Sequence, residues 1–254
     1  MSYKAIEIIK SNKIYIDNGD SVILNSSIDE NEVIFIQKLI KLNNSIKSIE
    51  IGCAMGLSSL TICDAVRNND PILSEHIIID PFQASDWKNI GINNLRKEGF
   101  NNFTLFEERS EYILPKLAEQ NLLYDFAFID GWHTFDHTLL DFFYLNRMLK
   151  IGGIIIIDDT SMPGINRVVR LIHKYPSYKF IDSVKVQRSS SRNILELVKS
   201  IIRPVAKLFG KKVSNHLFSS SLLISDTSLG LNSSMVAFQK IAEDNRPWNW
   251  HEEF

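Results

Sequence analysis

Three aspartates, Asp130, Asp158 and Asp159, close two apolar runs, FID at 128–130 and IIIIDD at 154–159. Carboxylates are hard oxygen ligands, so three of them on neighbouring strand ends could form a cup for magnesium, calcium or manganese. Adjacent side chains leaving a strand diverge, so Asp158 and Asp159 can serve one ion only if the chain turns there. A second cluster, Glu50-Ile51-Gly52-Cys53-Ala54-Met55-Gly56-Leu57-Ser58, sets two glycines four apart where an apolar run gives way to a helical pattern. Glycines there let a ligand approach the backbone, because a β-carbon would take its place. A tight turn packed from small residues accounts for the same string. The spacing is not GxGxxG, which argues against a nicotinamide-binding turn. Asp80, ending IIIDPF, could accept both hydrogen bonds of a ribose diol or could cap a helix. His133 and His137 lie one helical turn apart in HTFDH, where either could cap or pack that helix. Thr134 stands where a zinc hydrolase of the HEXXH kind needs a glutamate to polarise water.

Such groups need a frame that brings them together. Short apolar runs at 46–52, 76–80, 102–106, 124–130 and 152–158 alternate with amphipathic stretches, the rhythm of parallel βα units. Runs such as Ile77-Ile78-Ile79 do not alternate with polar residues, as befits strands covered on both faces. The expected fold is α/β, a doubly wound, mostly parallel sheet with helices on both faces. Ligands of such sheets bind beyond the carboxyl ends of the strands, where the polar residues above fall. The stretch 1–45 reads as a helical lead-in, with Val33, Ile36 and Ile40 on one stripe of a helix over 29–42 and acids in its first turn. Residues 235–241 read as a strand returning to the sheet. Before it, a helical insertion is expected at about 183–222. Between 183 and 218 it carries eight basic residues and one acid, with Pro204 kinking or dividing the helix.

The remaining composition bounds the function. With 254 residues, 44% of them hydrophobic, the chain can bury a sizeable core, which excludes disorder as its main state. A net charge of −2, from 28 basic and 30 acidic residues, gives no reason to expect nucleic acid. Cys53 and Cys63 lack the spacing of a disulfide framework or a zinc site. No stretch reads as a secretory signal or a membrane span, so the expected compartment is the cytoplasm.

Taken in order, EIGCAMGLSSL, the acidic end at Asp80, ERSEYILPKL, FIDGWH and IIIDD resemble the successive motifs of class I S-adenosylmethionine-dependent methyltransferases. The resemblance spans residues 46–175 and is nearest the cation-dependent O-methyltransferases, of the catechol type and of the macrolide sugar-modifying type. It implies one methyltransferase domain over 1–254, with a seven-stranded Rossmann-like sheet whose final strand is antiparallel. It also implies S-adenosylmethionine as cofactor and Mg2+ or another hard divalent cation. Carried over residue by residue, Gly52 and Gly56 line the methionine part, with Ser58 in the same turn, and Glu50 braces that loop or meets the amino group. Asp80 holds the ribose, Ser110 lies near the adenine amine, and Phe82 and Trp132 cover cofactor or acceptor. Asp130 adjoins the cofactor and, with Asp158 and Asp159, holds the metal. The catechol type usually has Asp-Asn at the last two positions, so Asp159 departs toward the sugar-modifying branch.

His133 stands where the catechol type carries a lysine thought to act as base, and an imidazole can take a hydroxyl proton near neutrality. The expected acceptor is a hydroxyl of a sugar, glycan or small-molecule diol. The ending DNRPWNWHEEF, with Trp248 and Trp250, fits the sugar-modifying branch, although such a pair serves equally for packing. The basic stretch 183–218 could close over the acceptor, join subunits of a homo-oligomer or meet an anionic membrane surface. Two other readings remain: a noncatalytic S-adenosylmethionine-binding partner protein, and a metal-independent small-molecule methyltransferase.

Overall fold

Helix formation at the lead-in is written in a capping box. Asp29 accepts from the Glu32 amide while the Glu32 carboxylate accepts from the Asp29 amide, and Val33, Ile36, Leu39 and Ile40 then turn inward. The computed structural model describes residues 3–16, 20–186, 229–252 and 254, with the short pieces 200–202, 204–205, 208 and 224–226. The chain begins with α1 (Tyr3–Ser11), a hairpin of β1 (Lys13–Tyr15) and β2 (Ser21–Ile23), and α2 (Glu30–Leu42). Four βα units follow: β3 (Lys47–Ile51) with α3 (Leu57–Asn69), β4 (Glu75–Ile79) with α4 (Ile90–Lys97), β5 (Phe103–Phe106) with α5 (Ser110–Glu119), and β6 (Tyr124–Ile129) with α6 (Phe135–Met148). The last elements are β7 (Leu149–Ile157), α7 (Pro163–Ile172), β8 (Tyr178–Lys185) and β9 (Ser233–Lys240).

Seven strands form one sheet in the order β5-β4-β3-β6-β7-β9-β8. β3 to β7 pair in parallel, and β9 runs antiparallel between β7 and β8. This is the doubly wound architecture expected from the sequence, with its final strand reversed. Because alternate side chains point to opposite faces, Ile154 and Ile156 join the core beneath α2, α3 and α4. Ile155 and Ile157 join the core beneath α5, α6 and α7.

Two expectations need correction. The lead-in 1–45 is interrupted by the β1–β2 hairpin, whose three-residue strands are too short to give a pattern. Residues 183–185, assigned from sequence to the basic insertion, end β8, where Lys185 pairs with Ser233. Most of the remaining insertion to 222 lies outside the described residues.

Candidate active site

The strand order reverses at β3, and β3 and β6 lie side by side with their carboxyl ends facing one cleft of about 830 Å3. Gly52, Asp80, Ser110, Asp130, Asp158 and Asp159 all line it. Glu50, Gly56 and Ser58 do not, and they are placed by different forces.

The glycine turn is closed by the chain itself. Gly52, Ala54 and Gly56 all adopt positive φ. A β-carbon on Gly52 would stand 1.9 Å from the Asp130 carbonyl oxygen, and one on Gly56 would stand 2.6 Å from the Gly91 Cα. The room on the β-carbon side of these glycines is filled by neighbouring backbone, so the turn is tightly packed there, while Gly52 still lines the cleft. Asp80 serves the same turn. Its Oδ2 accepts from the amides of Cys53 and Ala54, both at 3.0 Å, and from Gln83 Nε2 at 2.8 Å, while Oδ1 accepts from the Phe82 amide.

Glu50 is fully buried below the turn. Its Oε2 meets Ser59 Oγ and His76 Nε2, and His76 Nδ1 meets Ser48 Oγ at 2.9 Å. Among the described residues, Oε1 has no hydrogen-bonding partner. Glu50 thus braces the start of α3 from inside the core, and Ser58 is buried on the same helix.

The acidic residues divide differently from the sequence reading, which grouped Asp130 with Asp158 and Asp159. Among the described residues, Asp130, His133 and Asp159 bring ligand atoms within 4.8 Å of one another. His133 Nε2 lies 3.1 Å from Asp130 Oδ1 and 3.2 Å from Asp159 Oδ2. Asp159 has φ 51°, the chain turn that adjacent aspartates need if they are not to follow the strand. Asp158 stays behind, buried, with Oδ1 accepting from the Asp159 amide.

Charge is concentrated here. Burial pushes the Asp158 carboxyl well above the usual range, and Asp130 and Glu32 add to it. Burial also raises Asp130, against the opposing hydrogen bond and charge of His133. The His133 imidazole is in turn held above its ordinary value, first by the hydrogen bond to Asp130 and also by the charge of Asp159, with burial opposing. An oxygen-rich trio of which two members suffer from mutual repulsion fits a hard divalent cation.

Several lining residues escaped the sequence reading. Glu32 reaches the cleft from α2 and its carboxyl is raised by burial; its capping-box spacing gave it a sufficient local task. Trp87, Arg109 and Met162 also line the cleft, as does His137. Phe82 and Trp132 approach with ring centroids 6.2 Å apart, and Trp132 and His137 at 6.4 Å, so one part of the cleft is aromatic. The C-terminal tryptophans are elsewhere. Trp250 packs on Tyr175 and under the Arg246 guanidinium, and Trp248 is 97% exposed.

A Rossmann-like sheet with an acid-and-aromatic cleft at its switch point is the arrangement to set beside known proteins. Residues 49–160 match the family model described as a methyltransferase domain. The chain is similar to tapetum-specific methyltransferase 1 of Arabidopsis thaliana, 31% identical over 137 residues that make up 52% of this chain and 54% of that protein. It is also similar to caffeoyl-CoA O-methyltransferase 2 of Petunia hybrida, 29% identical over 150 residues, 56% of each. The chain thus spans about half the length of the curated relatives it matches.

Among solved structures, it resembles the O-methyltransferase TomG of Streptomyces achromogenes, involved in tomaymycin synthesis and solved with S-adenosylmethionine. That match has TM-score 0.56 and 16% identity, and covers 72% of this chain and 82% of that one. An O-methyltransferase of Bacillus cereus, solved with S-adenosylhomocysteine, gives TM-score 0.56 and 15% identity, covering 71% and 81%. At such identities the likeness is one of fold. The match to the methyltransferase domain model over residues 49–160 agrees with the motif order read from the sequence.

Proposed function

We propose that the protein transfers a methyl group from S-adenosylmethionine to a hydroxyl oxygen of a sugar, glycan or small-molecule diol, with a divalent cation beside the acceptor. The observation that carries this reading is the convergence of Asp130, His133 and Asp159 in the cleft that the Gly52 turn also lines. The aromatic part of the cleft suits a purine, and the acidic part suits a cation and the acceptor. Asp130 and Asp159 would hold the cation, with Asp158 behind them and His133 alongside. A bound cation supplies charge that favours the ionised acceptor and fixes its orientation.

The chain's own work is alignment and proton removal. Methyl transfer forms a C–O bond as the C–S bond breaks in line, so the walls must hold oxygen, methyl and sulfur in a row. The departing hydroxyl proton passes to His133 Nε2, provided that atom is free of its carboxylate partners and unprotonated. The test is turnover: the purified chain is given S-adenosylmethionine, magnesium and a panel of vicinal diols, and products are screened for a gain of one methyl. No product from any diol and no binding of S-adenosylhomocysteine would overturn the reading.

A second reading, metal-independent transfer, is favoured by one feature. His133 already bridges Asp130 and Asp159, so a protonated imidazole can supply the counter-charge that a cation would bring. Chelation separates the two: activity lost with chelator and restored by magnesium supports the cation, and undiminished activity supports the imidazole. Self-association and contact of 183–218 with an anionic membrane surface are further elements of the proposal, read by sedimentation of the chain alone and with anionic vesicles. No helix among the described residues is long and apolar enough to cross a membrane.

A further inference from the structure

One glycine sits where helix formation alone would not place it. α7 opens with Pro163, well suited to the first helical position, followed at once by Gly164, one of the poorest helix formers. Gly164 lacks the positive φ of Gly52 and Gly56, so backbone conformation does not call for glycine there. Space does. A β-carbon on Gly164 would stand 3.0 Å from the Phe135 amide nitrogen and 3.5 Å from the His133 carbonyl oxygen. The start of α7 therefore rests directly on the main chain of 133–135, which leads into α6.

The two segments that touch at this joint carry opposite sides of the acidic site. One follows β6 and holds Asp130 and His133; the other follows β7 and holds Asp159. They meet across the cleft at His133 Nε2 and Asp159 Oδ2, 3.2 Å apart. The segment after β7 is stiff. The Met162 amide donates to the Asp159 carbonyl at 2.9 Å, and the Asn166 amide to the Met162 carbonyl at 2.8 Å. Thr160 is anchored to β9, its amide donating to the Ser234 carbonyl at 3.0 Å and its hydroxyl to the Ser233 carbonyl at 2.7 Å. With Thr160 held to the sheet, Asp159 cannot retreat when bulk is added at 164. The push falls on 133–135 and opens the contact between His133 and Asp159.

We propose that Gly164 is a positioning residue: by letting the start of α7 lie on the main chain of 133–135, it sets the span across which Asp130 and His133 face Asp159, and with it the affinity of that trio for a divalent cation. This rests on the cation reading given above. It adds a residue that is not part of the cleft lining and acts only through the groups that are.

Calorimetric titration of the full chain with magnesium, in the absence of cofactor, tests the joint. Alanine is the better helix former, so Gly164→Ala gains locally while it crowds the joint, and a cooperative urea transition is expected to persist. Magnesium binding should weaken about tenfold in Gly164→Ala and further in Gly164→Val, the scale on which supporting groups tune a metal site. In an Asp159→Asn background the same Gly164→Ala change should cost about threefold or less, because changes that act through one contact do not add. A merely structural role would give equal losses in the two backgrounds. Equal losses there, or wild-type affinity in Gly164→Ala, would overturn the proposal. If Gly164→Val does not fold, Gly164→Ala in the two backgrounds decides. A wild-type chain that binds magnesium and is indifferent to residue 164 sinks this inference and leaves the cation reading standing. One that binds no magnesium sinks both.

Discussion

Gly52 makes a direct test of how the cleft is built. Its φ of 88° and a β-carbon position 1.9 Å from the Asp130 carbonyl mean that Gly52→Ala must both strain the backbone and push the ends of β3 and β6 apart. Such a change is expected to cost about 3 kcal/mol or more in chemical denaturation. A loss under about 1 kcal/mol would show that the turn relaxes freely. For His133, NMR titration of the metal-free protein should find a midpoint above 6.5, because the hydrogen bond to Asp130 and the charge of Asp159 favour the protonated ring. The stability that this pairing contributes is then present in full below the unfolded value and lost as pH rises through the folded one. Asp130→Asn should bring the midpoint down; an unchanged midpoint would mean that the contact is not populated. Asp159→Asn keeps a residue type that tolerates left-handed backbone. It should leave stability within about 0.5 kcal/mol while lowering magnesium affinity about tenfold by titration. Asp80 shows the limit of reading residues singly. Its type and strand-end position suit a ribose, but spacing does not reveal that the amides of Cys53 and Ala54 curl back within reach of it.

At the scale of elements, the end of the sheet opposite the cleft is pinned by Asp125. It accepts from the amides of Ile46 and Lys47 and from Lys150 Nζ at 2.5 Å, tying the starts of β3, β6 and β7 together. Burial alone would raise its pKa, but these donors outweigh burial and hold the carboxyl below 3.8. Its contribution is therefore present above the unfolded value and vanishes as pH falls through the lower folded one. Asp125→Ala should cost about 2 kcal/mol at neutral pH, and the gap from wild type should close on acidification. A gap that persists in acid would assign the loss to packing. The elements differ in how openly the sequence announces them. Buried parallel strands such as β4 and β7 declare themselves through unbroken isoleucine, whereas β8, at the sheet edge, mixes exposed and half-buried residues and carries no such signal. Glu32 was hidden for the opposite reason, since one helix start uses it both as a cap and as a piece of the cleft wall.

For the whole molecule, the proposed cofactor site predicts a measurable linkage. S-adenosylhomocysteine at 100 times its Kd should stabilise the folded chain by about 2.7 kcal/mol. In a chain of this length that corresponds to a rise in Tm of about 5–10 °C in a thermal melt. No shift at saturating ligand would place the ligand elsewhere or nowhere. The contact of Gly52 with the Asp130 carbonyl, and of Gly56 with Gly91, has a bearing on anyone wishing to retailor the acceptor range. At those joints main chain abuts main chain, so no side-chain library can be inserted without dislocating the frame. Variation belongs instead at Trp87 and Met162, whose side chains form the wall and can be exchanged while the underlying masonry stays in place.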